Sequence, residues 1–221
     1  MTANSSRHPM TANSSRHTMI ANSSRHPMIL PTSYWPPVGY IDTLLNDANY
    51  NGTTTGPQRD HYRTSPGHHP QIEVMESFEK QTFRNRCRIQ DLQGREIVLT
   101  VPVRKVEHKQ LTRDIEIAYV EPWQAKHAQA LRSAYEHTPY FEYFWDLIAP
   151  IYQRQWKYLV ELNDMTLQLA LNINQRTITP DGKMLPLPLI HTADWHGETW
   201  TDAHPYQKQM SILDRLFRDG Y

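Results

Sequence analysis

The stretch Phe83-Arg-Asn-Arg-Cys-Arg-Ile89 alternates without a break, and the fold is read from it. Successive side chains of a strand point to opposite faces, so Phe83, Asn85, Cys87 and Ile89 face one way and Arg84, Arg86 and Arg88 the other. Thr82 and Lys80 extend the arginine face if pairing begins earlier. Around this strand lie three more candidates. Ile72-Glu-Val-Met-Glu76 is short and apolar at alternate positions. Ile97-Val-Leu-Thr-Val-Pro-Val103 is nearly continuous, as in a strand covered on both faces, although Pro102 donates no ladder bond. Asp114-Ile-Glu-Ile-Ala-Tyr-Val120 alternates again.

Upstream, Ile29-Leu-Pro-Thr-Ser-Tyr-Trp-Pro-Pro-Val-Gly-Tyr40 reads as a short strand, a proline-stiffened turn and a helix over about 38–46. Downstream the period changes to that of helices. Residues 122–137 place Trp123, His127, Ala130, Leu131, Ala134 and Tyr135 on one face. Pro139 opens an aromatic helix over 140–148, and Pro150 starts a longer one reaching about Leu171. A last helix begins near Ser211, where Ser211 and Asp214 resemble a capping box. The expected class is α/β, a small mostly parallel sheet in the N-terminal half with a helical C-terminal half; α+β is the alternative.

The chain has 221 residues, with 23 Lys+Arg balancing 23 Asp+Glu, and one cysteine. Zero net charge argues against coating nucleic acid or an anionic membrane. No apolar run approaches the ~20 residues of a membrane span. A lone cysteine forms no internal disulfide and suits a cytoplasmic protein. Residues 1–27 are three near-copies of the unit M-[TI]-A-N-S-S-R-H-[PT]. The unit carries too little apolar surface to offset its ordering entropy, which predicts a disordered tail and a single folded domain over 28–221. Met28 then stands as the functional start. The Asn-, Gly- and Pro-rich residues 47–71 read as a flexible insertion.

The arginine face is the first chemical candidate. Guanidinium groups at alternate positions, with Lys80 near, grip phosphate or carboxylate bidentately; the plain reading is a charged, solvated edge. The run His191-Thr-Ala-Asp-Trp-His-Gly-Glu198, with Asp202 and His204, is dense in metal-ligand residue types but matches no zinc-ligand spacing. It reads as a polar loop, so no metal is expected; a hydrolase using His191 and His196 is the rival that needs one. Cys87 lies on the apolar face of its strand, which describes a core thiol better than a nucleophile. His127, beside Trp123 on an apolar helix face, reads as a core histidine or as a general base suited to neutral pH. No phosphate-binding glycine loop or nucleophile motif occurs, and no cofactor is indicated.

Six collinear blocks carry a family resemblance. They are residues 30–40, E-S-F-E-K-Q-T-F-R-N-R-C-R-I (76–89), L-T-V-P-V (99–103), R-D-I-E-I (113–117), P-W-Q-A-K-H through Y-E-H-T-P-Y-F-E-Y-F (122–144) and S-I-L-D-R-L-F-R-D-G (211–220). Together they resemble the WbqC-like family. The resemblance implies a bacterial protein of O-antigen and surface-polysaccharide biosynthesis. It also implies acyl or aminoacyl transfer to a nucleotide-linked amino sugar; a non-catalytic scaffold or assembly partner in polysaccharide synthesis is the alternative reading. By position it places family-typical polar residues at Tyr34, Lys80, Arg84, Asn85, Arg86, Trp123, His127 and Asp214. The expected partner is a nucleotide sugar or another phosphate-bearing small molecule held by the basic groups, with His127 the catalytic candidate. The chain departs from the pattern at Leu30-Pro-Thr, where many members have His-Gln-Pro.

Overall fold

A computed structural model describes residues 29–46, 71–175, 189–194 and 206–220. The repeat tail, nearly all of the insertion over 47–71, and His196, Glu198, Asp202 and His204 lie outside the described residues. A parallel sheet is built from β1 (Ile29–Pro31), β2 (Gln71–Glu73) and β5 (Ile190–His191), in the order β1-β2-β5. Leu30 lies opposite Ile72, and Ile72 opposite His191. Separately, β3 (Arg86–Gln90) pairs antiparallel with β4 (Glu96–Thr100), Cys87 opposite Leu99. The helices are α1 (Val38–Asn46), α2 (Trp123–Tyr135), α3 (Phe141–Gln153), α4 (Leu159–Gln175) and α5 (Ile212–Asp219). The α/β class stands, with the sheet's third strand returned from the C-terminal half.

Three local readings differ, each for a physical reason. The arginine strand begins at Arg86, because residues 82–85 turn instead. Asn85 donates its N–H to the Thr82 carbonyl at 3.2 Å and accepts the Gln81 N–H at 3.2 Å. The Phe83 carbonyl is taken by the Tyr34 N–H at 3.0 Å rather than by a ladder partner. Residues 114–120 form no strand: a 3-10 turn, Thr112–Asp114, leads into single bridges from Val103 to Ile117 and from Glu116 to Tyr158. Pro150 lies inside α3 rather than opening a helix. Its ring nitrogen carries no hydrogen, so the i→i−4 bond to the Asp146 carbonyl is not made at that position.

The core unites these pieces. Leu30, Ile72, Ile89, Leu131, Phe144, Leu162 and Phe217 are wholly enclosed. Burying a large apolar side chain stabilises by about 1.5–3 kcal/mol, which lets a three-residue strand persist where its own pairing would not suffice. Ser211 ties the last helix to the first turn. Its hydroxyl accepts the Leu213 N–H at 3.2 Å, capping α5, and donates to the Trp35 carbonyl at 3.0 Å. Its own N–H donates to the Arg88 carbonyl at 2.8 Å. At the other end of α5, Gly220 adopts φ 87°, and a Cβ there would approach the Tyr140 ring to 2.9 Å.

Candidate functional site

The turn after β1 sits at the centre of the polar architecture. Residues 31–37 are all buried, and Trp35 takes a left-handed φ of 43°, a conformation that costs a non-glycine residue of order 1–3 kcal/mol. Three contacts hold it there. The Trp35 N–H donates to Thr166 Oγ1 of α4 at 3.2 Å, its indole Nε1–H donates to the Tyr152 hydroxyl at 2.8 Å, and its carbonyl takes Ser211.

From Trp35 a chain of hydrogen bonds runs inward. The Tyr152 hydroxyl, occupied as acceptor by the indole, is free to donate to the Tyr34 hydroxyl at 3.1 Å. Tyr34 then donates to His127 Nδ1 at 2.9 Å. The other ring nitrogen of His127 reaches the Thr100 carbonyl, which requires a donor there and so fixes the proton on Nε2. Trp123 packs its ring edge-on to His127, with centroids 5.1 Å apart, and its own indole N–H is buried without a described partner. Burial pushes His127 down to about 4, against the weaker opposing pull of the Thr100 carbonyl. Burial likewise pushes Tyr34 and Tyr152 up. The histidine is therefore a neutral hydrogen-bonding group at pH 7, with its acceptor nitrogen aimed at a phenol.

The arginines separate. Arg84 is buried and grips Glu76 with both arms, at 2.5 and 2.7 Å, while its carbonyl takes the Asn163 amide at 2.9 Å. Asn85 braces the same turn through the Val101 carbonyl at 3.1 Å. Arg88 pairs with Glu96 and donates to the Gln207 carbonyl at 3.1 Å. Arg86 differs from both. Its Nε is enclosed and has no partner among the described residues. It lines a narrow cleft with Trp35, Thr82, Arg88, Gln207 and Gln209, whose volume of about 20 Å³ has room for roughly one water.

The remaining sequence candidates lie elsewhere. Lys80 is exposed on the turn before Thr82. Asp214 on α5 accepts from the Tyr135 hydroxyl at 2.8 Å and from Arg218 at 3.1 Å. Tyr34, Trp123 and His127 are brought together, Arg84 and Asn85 brace a turn, and Arg86 faces the cleft. Sequence reasoning missed Trp35 and Tyr152, which link the cleft wall to His127. Trp35 had a signal in its place between Tyr34 and two prolines; Tyr152 had none, being one aromatic among many. No described group of three or more His, Cys, Asp and Glu is arranged to hold a metal ion, and no described helix is long and apolar enough to cross a membrane.

Neither the curated proteins nor the solved structures include a match to the chain. Residues 75–178, which run from before Arg84 through the end of α4 and include His127, match the model of the WbqC-like protein family. Through that segment, the chain is similar to the WbqC-like protein family.

Proposed function

We propose that this WbqC-like protein binds a phosphate-linked sugar at Arg86 and serves surface-polysaccharide biosynthesis. The observation that carries the binding step is the enclosed Arg86 Nε, a cationic donor that no described carboxylate or carbonyl satisfies. A buried, unsatisfied donor of this kind costs on the order of 1–3 kcal/mol, and a phosphate oxygen in the cleft removes that cost. The cleft suits one oxygen rather than a whole sugar, so the nucleotide and sugar lie over its rim, near Trp35 and Tyr206. In this reading the Tyr34–His127–Tyr152 network holds Trp35 rigid under the ligand, and acyl or aminoacyl transfer to an amino sugar is the chemistry proposed above that floor.

Isothermal titration of the full chain with UDP-N-acetylglucosamine and with pyrophosphate tests this. Binding that disappears in Arg86→Ala, with melting temperature unchanged, supports the reading. Equal binding by the variant sinks it. The scaffold alternative draws on Tyr143, 61% exposed on α3 beside the partly exposed Tyr140, and it predicts no heat with either compound.

A further inference from the structure

In sheets of parallel strands flanked by helices, ligands gather outside the carboxyl ends of the strands. Strand β5 presents such an end at His191, opposite Ile72 of β2. There His191 Nε2 lies 2.8 Å from Asp164 Oδ2 on α4. The Asp164 side chain is mostly covered, and its Oδ1 has no partner among the described residues. The imidazole is 40% exposed, and no described residue bonds its Nδ1. A carboxylate on one ring nitrogen and no described partner at the other is the arrangement of a base held by an orienting group: Asp164 fixes the proton on Nε2 and leaves the Nδ1 lone pair unpaired among the described residues.

The strand end is braced on its other side. The Thr192 N–H donates to the Ile72 carbonyl at 3.0 Å, and its hydroxyl donates to Glu73 Oε1 at 2.8 Å. Glu73 is wholly buried, and the same oxygen accepts the Met75 N–H at 2.7 Å. His191 is thus fixed in position by its neighbour in sequence as well as by Asp164.

We infer that the His191–Asp164 pair is a proton-accepting site for a ligand hydroxyl, of the kind a sugar carries. The neighbouring charges choose the class. The Asp164 carboxylate beside the ring disfavours an anion, whereas a neutral alcohol offers the donor that Nδ1 lacks. In the transfer, the ligand O–H bond breaks and an Nδ1–H bond forms. The electron pair stays on the ligand oxygen, and the imidazolium charge is held by Asp164. Asp164 raises the histidine above its ordinary value, and it is the one described titratable group acting on that ring. Burial, and after it the same carboxylate, raises Tyr40 on α1. This site does not depend on the Arg86 cleft.

Diethyl pyrocarbonate modification of the full chain between pH 6 and 8, read peptide by peptide, tests it against the exposed His108 and His137. The wild-type His191 profile has a midpoint above the ordinary histidine value and a faster plateau than theirs. Asp164→Asn lowers the midpoint and slows the plateau several-fold, with melting temperature followed as a check on folding. N-acetylglucosamine and methyl glucoside at tens of millimolar protect His191 alone, and protection persists in Arg86→Ala, which separates this site from the cleft. A midpoint shift without protection by either compound marks a structural ion pair and overturns the proposal. So does a His191 that reacts like the two reference histidines in both proteins.

Discussion

The Tyr34 hydroxyl stands 2.9 Å from His127 Nδ1 and is the only donor described for that nitrogen. Tyr34 also receives Tyr152, so one phenol satisfies two buried groups from different helices. Tyr34→Phe removes both partners at once while keeping the ring. Each buried group left unsatisfied costs about 1–3 kcal/mol, so a loss of roughly 2–6 kcal/mol is expected in urea unfolding at pH 7. Tyr143→Phe, at an exposed position, stays within about 0.5 kcal/mol. Equal effects of the two would mean that the network contributes nothing.

His127 sets a pH dependence. Its folded value of about 4 lies below the ordinary 6.5, so between those pH values the unfolded chain binds the proton and the folded chain does not. Stability contributed by this group is complete above about pH 6.5 and is lost as pH falls toward 4, by roughly 3 kcal/mol in total. His127→Gln, unable to titrate, flattens that part of the profile. Denaturant midpoints measured from pH 8 to 4 distinguish the two behaviours.

Arg84 and Arg86, two positions apart, respond to substitution in opposite ways. Arg84→Ala strands the Glu76 carboxylate, itself mostly covered, and is expected to cost about 3–5 kcal/mol. Arg86→Ala breaks no described ion pair and removes an unsatisfied donor, so its melting temperature stays near wild type while phosphate binding is lost. Thermal melts of both variants, with and without pyrophosphate, read both outcomes.

Cys87 lies opposite Leu99 in the hairpin, and burial pushes its thiol well up. The thiolate needed for attack is therefore absent at neutral pH. Iodoacetamide should leave the native chain unmodified for hours and label it within minutes in urea. Rapid labelling without denaturant would contradict the enclosed position.

Much of this was legible in the sequence, and the misses are instructive. Alternation correctly sent Cys87 and Ile89 inward and Arg86 and Arg88 toward the partly exposed side, because β3 begins where the pattern remains unopposed. It failed at Arg84, since alternation encodes direction only while the chain stays extended. Asn85 and the Tyr34 N–H divert the backbone into a turn, and neither partner is near in sequence. The Ser211 cap was legible from local chemistry alone; that its hydroxyl also reaches Trp35 was not. The parallel sheet was read from its first two strands, but β5 is two residues long, too short for any period to register. The His191–Asp164 pair was hidden for a different reason: its partners come from separate elements. Family blocks located His127 and Tyr34 without saying that one holds the other.

Ser211 connects residues 176 positions apart through the Trp35 carbonyl and reaches back to Arg88 in the same step. A nascent chain emerging from the ribosome therefore carries its first turn, its arginine hairpin and four of its helices before the residue that fastens them together has been made. Until Ser211 arrives, the Trp35 carbonyl lacks its described donor, and the apolar surface awaiting α5 is exposed. Closure is a late, non-local event, slow by comparison with forming the helices themselves. The vulnerable interval for aggregation is thus set by translation of the segment between α4 and α5, so synonymous codon changes that slow this segment should lower soluble yield without altering the finished protein.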